Sequence, residues 1–281
     1  YEKKELDWAG SPLSVLPIDA LTALNKKGEF HTKPFLATYF FRINVSKLHL
    51  SHPLIRKALA RALNRKEIVD FVLQGKQIPA TALVPPSMGL RLAPYFKDAD
   101  IGVSQDLFLE GKKELGLSSY PPLTLIYMAG ERNHRIAQTV QEQWKTVLGI
   151  KIDLQPMESK TFYDRVSKKD YDLAVGSWTA DFNDPLNFLE IFKSKNGGLN
   201  HTGWENKEYK SLLDNALMVS DVQERNHLLE ESEKILMEEM PVIPLFHYTM
   251  LYLSSKRLEG VVLSNLGSVD FKHAYLKKEE K

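Results

Sequence analysis

The sequence has no cysteine. Disulfides, thiolate-held zinc, iron–sulfur clusters and cysteine nucleophiles are excluded together. It has no apolar run approaching the roughly 18 residues that a membrane-crossing helix needs. Neither sign of charge dominates: 37 Lys and Arg stand against 36 Asp and Glu, a formal charge of +1. Proteins that grip nucleic-acid phosphates carry a basic excess, so no nucleic-acid partner is expected. The glycines form neither GxGxxG nor GxxxxGK(S/T), and GxSxG is missing too, so nucleotide loops and the common serine-hydrolase elbow are not expected. The eight histidines (His31, His49, His52, His134, His201, His227, His247 and His273) show no HxH or HExxH spacing. No metal and no cofactor is expected. The opening residues, Tyr1-Glu-Lys-Lys-Glu-Leu-Asp-Trp8, lack an initiator Met and have no apolar stretch behind a basic start. They read as a cut inside a longer chain, not as a signal peptide.

What is present is the composition of a folded protein, 43% hydrophobic and 26% charged. At roughly 100–200 residues per domain, 281 residues accommodate one large domain or two lobes. Residues 1–30 suggest a short helix broken near Pro17. Residues 34–45, rich in aromatic and β-branched side chains, predict a strand. A helix begins near Pro53 with Leu54, Ile55, Ala58, Leu59 and Ala62 on one face. A second follows the Asn64 cap, with Glu67 three residues on, and stops at Gly75. Residues 79–94, with Pro85-Pro86 and Gly89, read as a long irregular loop, and 104–115 as a helix. Then come a strand over 122–128, a helix over 133–148, a strand over 150–155, a helix over 158–168 and a strand over 171–176. That alternation predicts an α/β layer with right-handed crossovers. Helices over 184–194, 206–219 and 221–239, a strand over 241–253, and short strands and turns to the end complete the chain.

One loop concentrates chemistry: Gly176-Ser-Trp-Thr-Ala-Asp-Phe-Asn-Asp-Pro185. It follows a predicted strand, and in open α/β sheets ligands bind beyond the carboxyl ends of strands. Asp181 can pair with a ligand ammonium, and Trp178 can supply an apolar or cation–π wall. Two structural roles compete: Asp184 as a helix cap before Pro185, and Asp181 as the anchor of an Asx turn. Asp170, Asp172, Asp181 and Asp184 are also candidates for the paired carboxylates of a hydrolase. On the aromatic strand, period two sends Tyr39 and Phe41 one way and Phe40 the other. Either face serves the core or a cleft.

Four segments together resemble a known family: Thr38-Tyr-Phe-Phe-Arg-Ile-Asn44; the helix pair from Pro53 through Ala62-Leu-Asn-Arg65 to Ile68; Tyr171-Asp-Leu-Ala-Val-Gly-Ser-Trp-Thr-Ala-Asp-Phe-Asn-Asp-Pro-Leu-Asn-Phe188; and Pro241-Val-Ile-Pro-Leu-Phe246. In that order they look like the C-terminal half of an extracytoplasmic oligopeptide- or dipeptide-binding protein of an ABC importer, solute-binding protein family 5. The resemblance implies an α/β, type II periplasmic-binding-protein-like lobe, a mixed sheet flanked by helices, with a partial second lobe. Residues 39–245 would form the second, ligand-binding lobe. Residues 1–38 and 246–281 would carry the hinge and part of the first lobe. It further implies a non-enzymatic monomer that captures a short peptide and delivers it to the permease subunits of an ABC transporter. The place is the periplasm or the outer face of the cytoplasmic membrane, after a signal peptide or a lipoprotein lipobox that lies outside this chain.

By the same resemblance, Asp181 holds the peptide ammonium and Trp178, Thr179 and Ala180 lie beside it. Tyr39, Phe40 and Phe41 lie near the hinge. Some relatives hold the peptide carboxylate with basic residues. The matching positions here are Val166, Val175 and Asn133, and Arg165 and His134 are each one residue away. Alternatives of other classes are an Asp-dependent hydrolase, a binder of a non-peptide ligand such as a sugar or metal chelate, and a scaffold lobe without a ligand.

Overall fold

In the computed structural model, which describes residues 1, 3, 5–27 and 30–278, seven strands share one sheet: β1 (Trp8–Gly10), β2 (His31–Ile43), β3 (Ile78–Pro79), β4 (Leu123–Met128), β5 (Ile152–Met157), β6 (Leu173–Thr179) and β7 (Val242–Ser254). Their order is β1-β7-β2-β6-β4-β5, with β3 also against β7. β4 lies parallel to β5 and to β6, whereas β2 pairs antiparallel with both β6 and β7. The sheet is therefore mixed, as expected.

The helices are α1 (Ile18–Lys27), α2 (Leu48–Ser51), α3 (Pro53–Arg61), α4 (Arg65–Glu67), α5 (Ile101–Glu114), α6 (Glu131–Leu148), α7 (Ser159–Ser167), α8 (Leu186–Leu189), α9 (Lys207–Ala216) and α10 (Val222–Glu239). Among the described residues none is long and apolar enough to cross a membrane. α6 and α7 cover opposite faces of the parallel strands, and the strand sequences show why. Leu123, Leu125 and Tyr127 of β4 face the main core, where Trp144 of α6 is fully buried. Ile126 points the other way, into a small cluster with Phe162 and Val166 of α7. A strand covered on both faces is apolar at consecutive positions.

Two buried arginines fasten the helix pair to the rest. Arg56 donates through Nε to the Glu239 carbonyl (2.8 Å). Arg65 donates to the Pro244 carbonyl of β7 (2.8 Å) and pairs with Asp98 (2.9 Å). An unpaired buried charge costs several kcal/mol, so these partners are what permits the burial.

Some expectations need correction. α1 starts just after Pro17; proline's fixed φ suits a helix start, so it precedes the helix and does not break it. The helix after Asn64 widens into a π-helical turn over Ile68–Leu73 and ends at Gln74, in the left-handed region at φ 55°. The helix expected over 184–194 is α8 plus a 3-10 turn over Glu190–Phe192. Asp170 and Asp172 precede β6 and go separate ways: Asp170 pairs with Arg165, and Asp172 takes His49 and the Thr124 N–H.

Candidate functional site

The loop after β6 is pinned by a residue to which the sequence assigned no role. Asn187, buried on α8, accepts through Oδ1 from Trp178 Nε1 (2.8 Å) and from the Asp181 backbone N–H (3.2 Å). Ala180 donates its N–H to the Leu36 carbonyl (2.8 Å), closing the loop onto β2. Asp184 takes the structural role open to it. It accepts the Leu186 N–H (2.9 Å) and binds Arg225 through both oxygens (3.0 Å each). Asp181 does not anchor its own turn. Its carboxylate is exposed and has no hydrogen-bond or ion-pair partner among the described residues. Of the four carboxylates considered for hydrolysis, three are bound to structural partners, which leaves that reading without a pair among them.

Beside this loop the sheet is open. β6 has its β4 partner only at Leu173 and Ala174, so residues 175–179 meet no described strand on that side. Ser177 and Thr179 are exposed there. Ser177 lies directly opposite Tyr39, so the two share a face. Trp178, opposite Thr38, faces the other way, toward Asn187.

Tyr39 closes the floor of the opening. Its ring is 2% exposed and stacks on Phe246 of β7 at 4.9 Å, and its hydroxyl reaches Asn133 Oδ1 at 3.4 Å. Burial holds that hydroxyl far above the usual phenol range, with Tyr248 and Tyr127 adding and Arg132 opposing. It therefore stays protonated and donates. Asn133 is fixed by donating to the Met128 carbonyl (2.9 Å). His134, exposed, meets the Tyr127 hydroxyl through Nδ1 (2.7 Å). The rings of Phe40 and Phe41 are core: Phe40 packs edge-on to Phe192, and Phe41 contacts Trp144. They offer no ring surface and shape the strand from within.

Arg165 is not brought to this group. It donates to Asp170 (2.9 Å) and to Gln155 (2.8 Å). Gln155 lies level with Ala174, since both pair with Ile126. Thr179 is roughly 17 Å further along β6. Val166 and Val175 are buried. The cation that does stand near Tyr39 is Arg132, exposed in the first turn of α6. The sequence reading began that helix at Asn133 and passed over Arg132. A cavity of about 450 Å³ adjoins it, walled by residues 11–16, Phe35, Leu73, residues 248–251 and Leu266. A second cavity, about 430 Å³, lies between α3, α10 and the 91–96 segment. Three of its lining cations are paired, Arg61 with Asp100, Arg91 with Glu230 and Lys234 with Glu231. No group of residues able to hold a metal is found among the described residues.

Residues 1–200 match the model of the bacterial extracellular solute-binding proteins, family 5, middle region. The oligopeptide-binding protein OppA of Bacillus subtilis is 41% identical over 283 aligned positions, spanning 99% of this chain and 52% of that protein. Among solved structures, Haemophilus influenzae OppA in complex with the peptide RPPGFSPFR superposes with a TM-score of 0.78 at 26% identity, covering 92% of this chain and 52% of that one. The Escherichia coli murein tripeptide-binding protein MppA gives 0.76 at 27%, covering 92% and 51%. The fold is that of the type II periplasmic binding proteins. The chain spans about half the length of the curated relatives it matches. With a family model over more than half its length, and a loop and strand arrangement that follows the expected order, this chain belongs to family 5 of the bacterial extracellular solute-binding proteins.

Proposed function

We infer that this chain is the C-terminal half of an extracytoplasmic binding protein that captures short peptides and passes them to an ABC transporter permease, acting as a monomer. The observation that carries the reading is the Asp181 carboxylate, exposed and without a partner among the described residues, on a loop fixed by Asn187. It stands beside a strand edge that meets no described strand on its β4 side past Ala174. An extended peptide adds to such an edge through its main chain, which leaves side-chain preference loose. Its ammonium then lies against the carboxylate. Asn133, His134 and Tyr39 line the far side of the same opening, with Thr179 and Ala180 along the edge and Trp178 behind it. Arg165, held by Asp170 and Gln155, has no part in this arrangement.

The division at residues 38/39 and 245/246 is part of this reading. Both cuts fall within β2 and β7, where their pairing shifts register between Pro34 and Thr38 and between Tyr39 and Phe40. An irregularity in paired long strands is where a hinge would bend, and the ligand would favour the closed form by binding it better. Kinship with the Bacillus subtilis OppA, named for oligopeptides, agrees with a peptide ligand.

The test is tryptophan fluorescence of the full-length protein that contains this chain, titrated with tripeptides whose N-termini are free or acetylated. Free peptides should bind and acetylated ones should bind at least about tenfold more weakly, with Asp181→Asn removing the difference. Equal binding of both sets by the unmodified protein would refute the ammonium role.

A further inference from the structure

We propose that the cavity between residues 11–16 and residues 248–251 selects a ligand side chain, accepting a bulky apolar or an acidic one and rejecting a basic one. The proposal rests on the peptide reading above and specifies it.

The cavity adjoins the opening by direct contact of rings. Tyr248 lines it, and packs edge-on against Phe246, which stacks on Tyr39. Phe35, another wall residue, sits two positions before Ala37, the partner of Thr179 on the open edge. A side chain that leaves a peptide at that edge on the Tyr39 face would reach this space past Tyr39 and Arg132. Its volume, about 450 Å³, falls in the range of small-molecule sites. The walls are mainly apolar, with Leu16, Leu73, Met250 and Leu251 among them, so an apolar side chain gains by leaving water.

Among the described residues the lining contains a single charged one, Arg132. No hydrogen bond or ion pair engages its guanidinium among the described residues; the adjacent Glu131 is paired with Arg135 instead. Helix electrostatics do not explain an arginine there, because the first turn of a helix favours anions. The guanidinium and the end of α6 therefore act in the same sense, attracting a carboxylate and repelling an ammonium or guanidinium. Tyr39 and Tyr248 both lie within its field.

The experiment is calorimetric titration of the full-length protein at low ionic strength. The ligands are tripeptides in which each position in turn of an all-alanine parent becomes Leu, Glu or Lys. At one position Leu and Glu should bind tighter than Lys, Glu by roughly fivefold, the scale of an exposed charge pair. Salt should shrink the Glu preference and leave the Leu preference. Arg132→Glu should reverse the order of Glu and Lys and leave Leu unchanged. Arg132 is exposed, so this charge swap does not threaten the core, and circular dichroism checks that. Peptide binding with the same Glu and Lys order in Arg132→Glu as in the unmodified protein would overturn this inference alone. Failure of every peptide, the parent included, would overturn the peptide reading beneath it.

Discussion

Glu233 and His247 are both buried, and a short chain of hydrogen bonds joins them. Glu233 accepts the N–H groups of Leu83 (2.8 Å) and Val84 (2.7 Å) and the hydroxyl of Tyr95 (3.1 Å). Leu83 in turn accepts from Thr38 Oγ1 (2.8 Å), which meets His247 Nδ1 at 2.8 Å. A threonine hydroxyl has one proton, and it goes to the carbonyl, so His247 donates from Nδ1. Burial pushes Glu233 up to about 7 from 4.5 and His247 down to about 3 from 6.5. The two act on stability with opposite sign. Glu233, raised on folding, contributes stability below pH 4.5 that is lost as pH rises to about 7. His247, lowered on folding, contributes stability above pH 6.5 that is lost as pH falls to about 3. Between pH 4.5 and 6.5 the two slopes oppose each other. Glu233→Gln keeps an acceptor for Leu83 and Val84 and removes one slope. Urea unfolding across that range should then show stability rising with pH by up to about 1.4 kcal/mol per unit more than in the unmodified protein. An identical pH dependence in both would contradict the assignment.

At the scale of elements, caps were legible in the sequence and loop anchors were not. Asn64 accepts the Glu67 N–H (3.0 Å) and Asp221 the Glu224 N–H (2.8 Å), as their spacing predicts. Capping is local, so four residues carry the whole signal. Asp221→Ala should lower stability by about 1 kcal/mol, read as a shifted urea midpoint. The π turn over Ile68–Leu73 was not legible. Its run Ile-Val-Asp-Phe-Val-Leu is apolar at most positions, and tertiary packing decides which are covered: Ile68, Val69 and Leu73 are buried, and Phe71 is 74% exposed. Asn187 is the same kind of case. It lies in the motif that carried the family resemblance, yet only the fold puts one oxygen between Trp178 and Asp181. Asn187→Ala should cost about 1–3 kcal/mol, because two donors lose their acceptor. Asn187→Asp, which keeps an oxygen, should recover part of it. Equal losses in the two would contradict the anchoring role.

Over the whole molecule, the burial is uneven. The main core runs from β2 through α3, α6 and α10 to β7. A separate, much smaller cluster of Leu24, Phe30 and Leu253 holds α1 against the far end of β7. Local opening costs less where fewer apolar contacts break. Amide hydrogen exchange should therefore find α1 less protected than α6 by at least about tenfold. Equal protection would mean that the two clusters unfold as one.

The sequence by itself determined the strand and helix alternation, the caps, the absence of thiol chemistry and the family, because each is written in short-range spacing or in segments of contiguous residues. It singled out Asp181, and it left open whether that residue serves its own turn or a ligand. Tertiary structure decided the assignments that depend on distant partners. Arg165 goes to Asp170 and Gln155. Asp184 goes to Arg225, while Asp181 has no partner among the described residues. Tyr39 finds Asn133 from 94 positions away, and Thr38 finds His247 from 209. Arg132, unremarkable in the sequence, becomes the lone charge of a cavity among the described residues. The physical reason is that a charge acquires its meaning from the groups within a few ångströms of it, and only the folded chain brings those groups together.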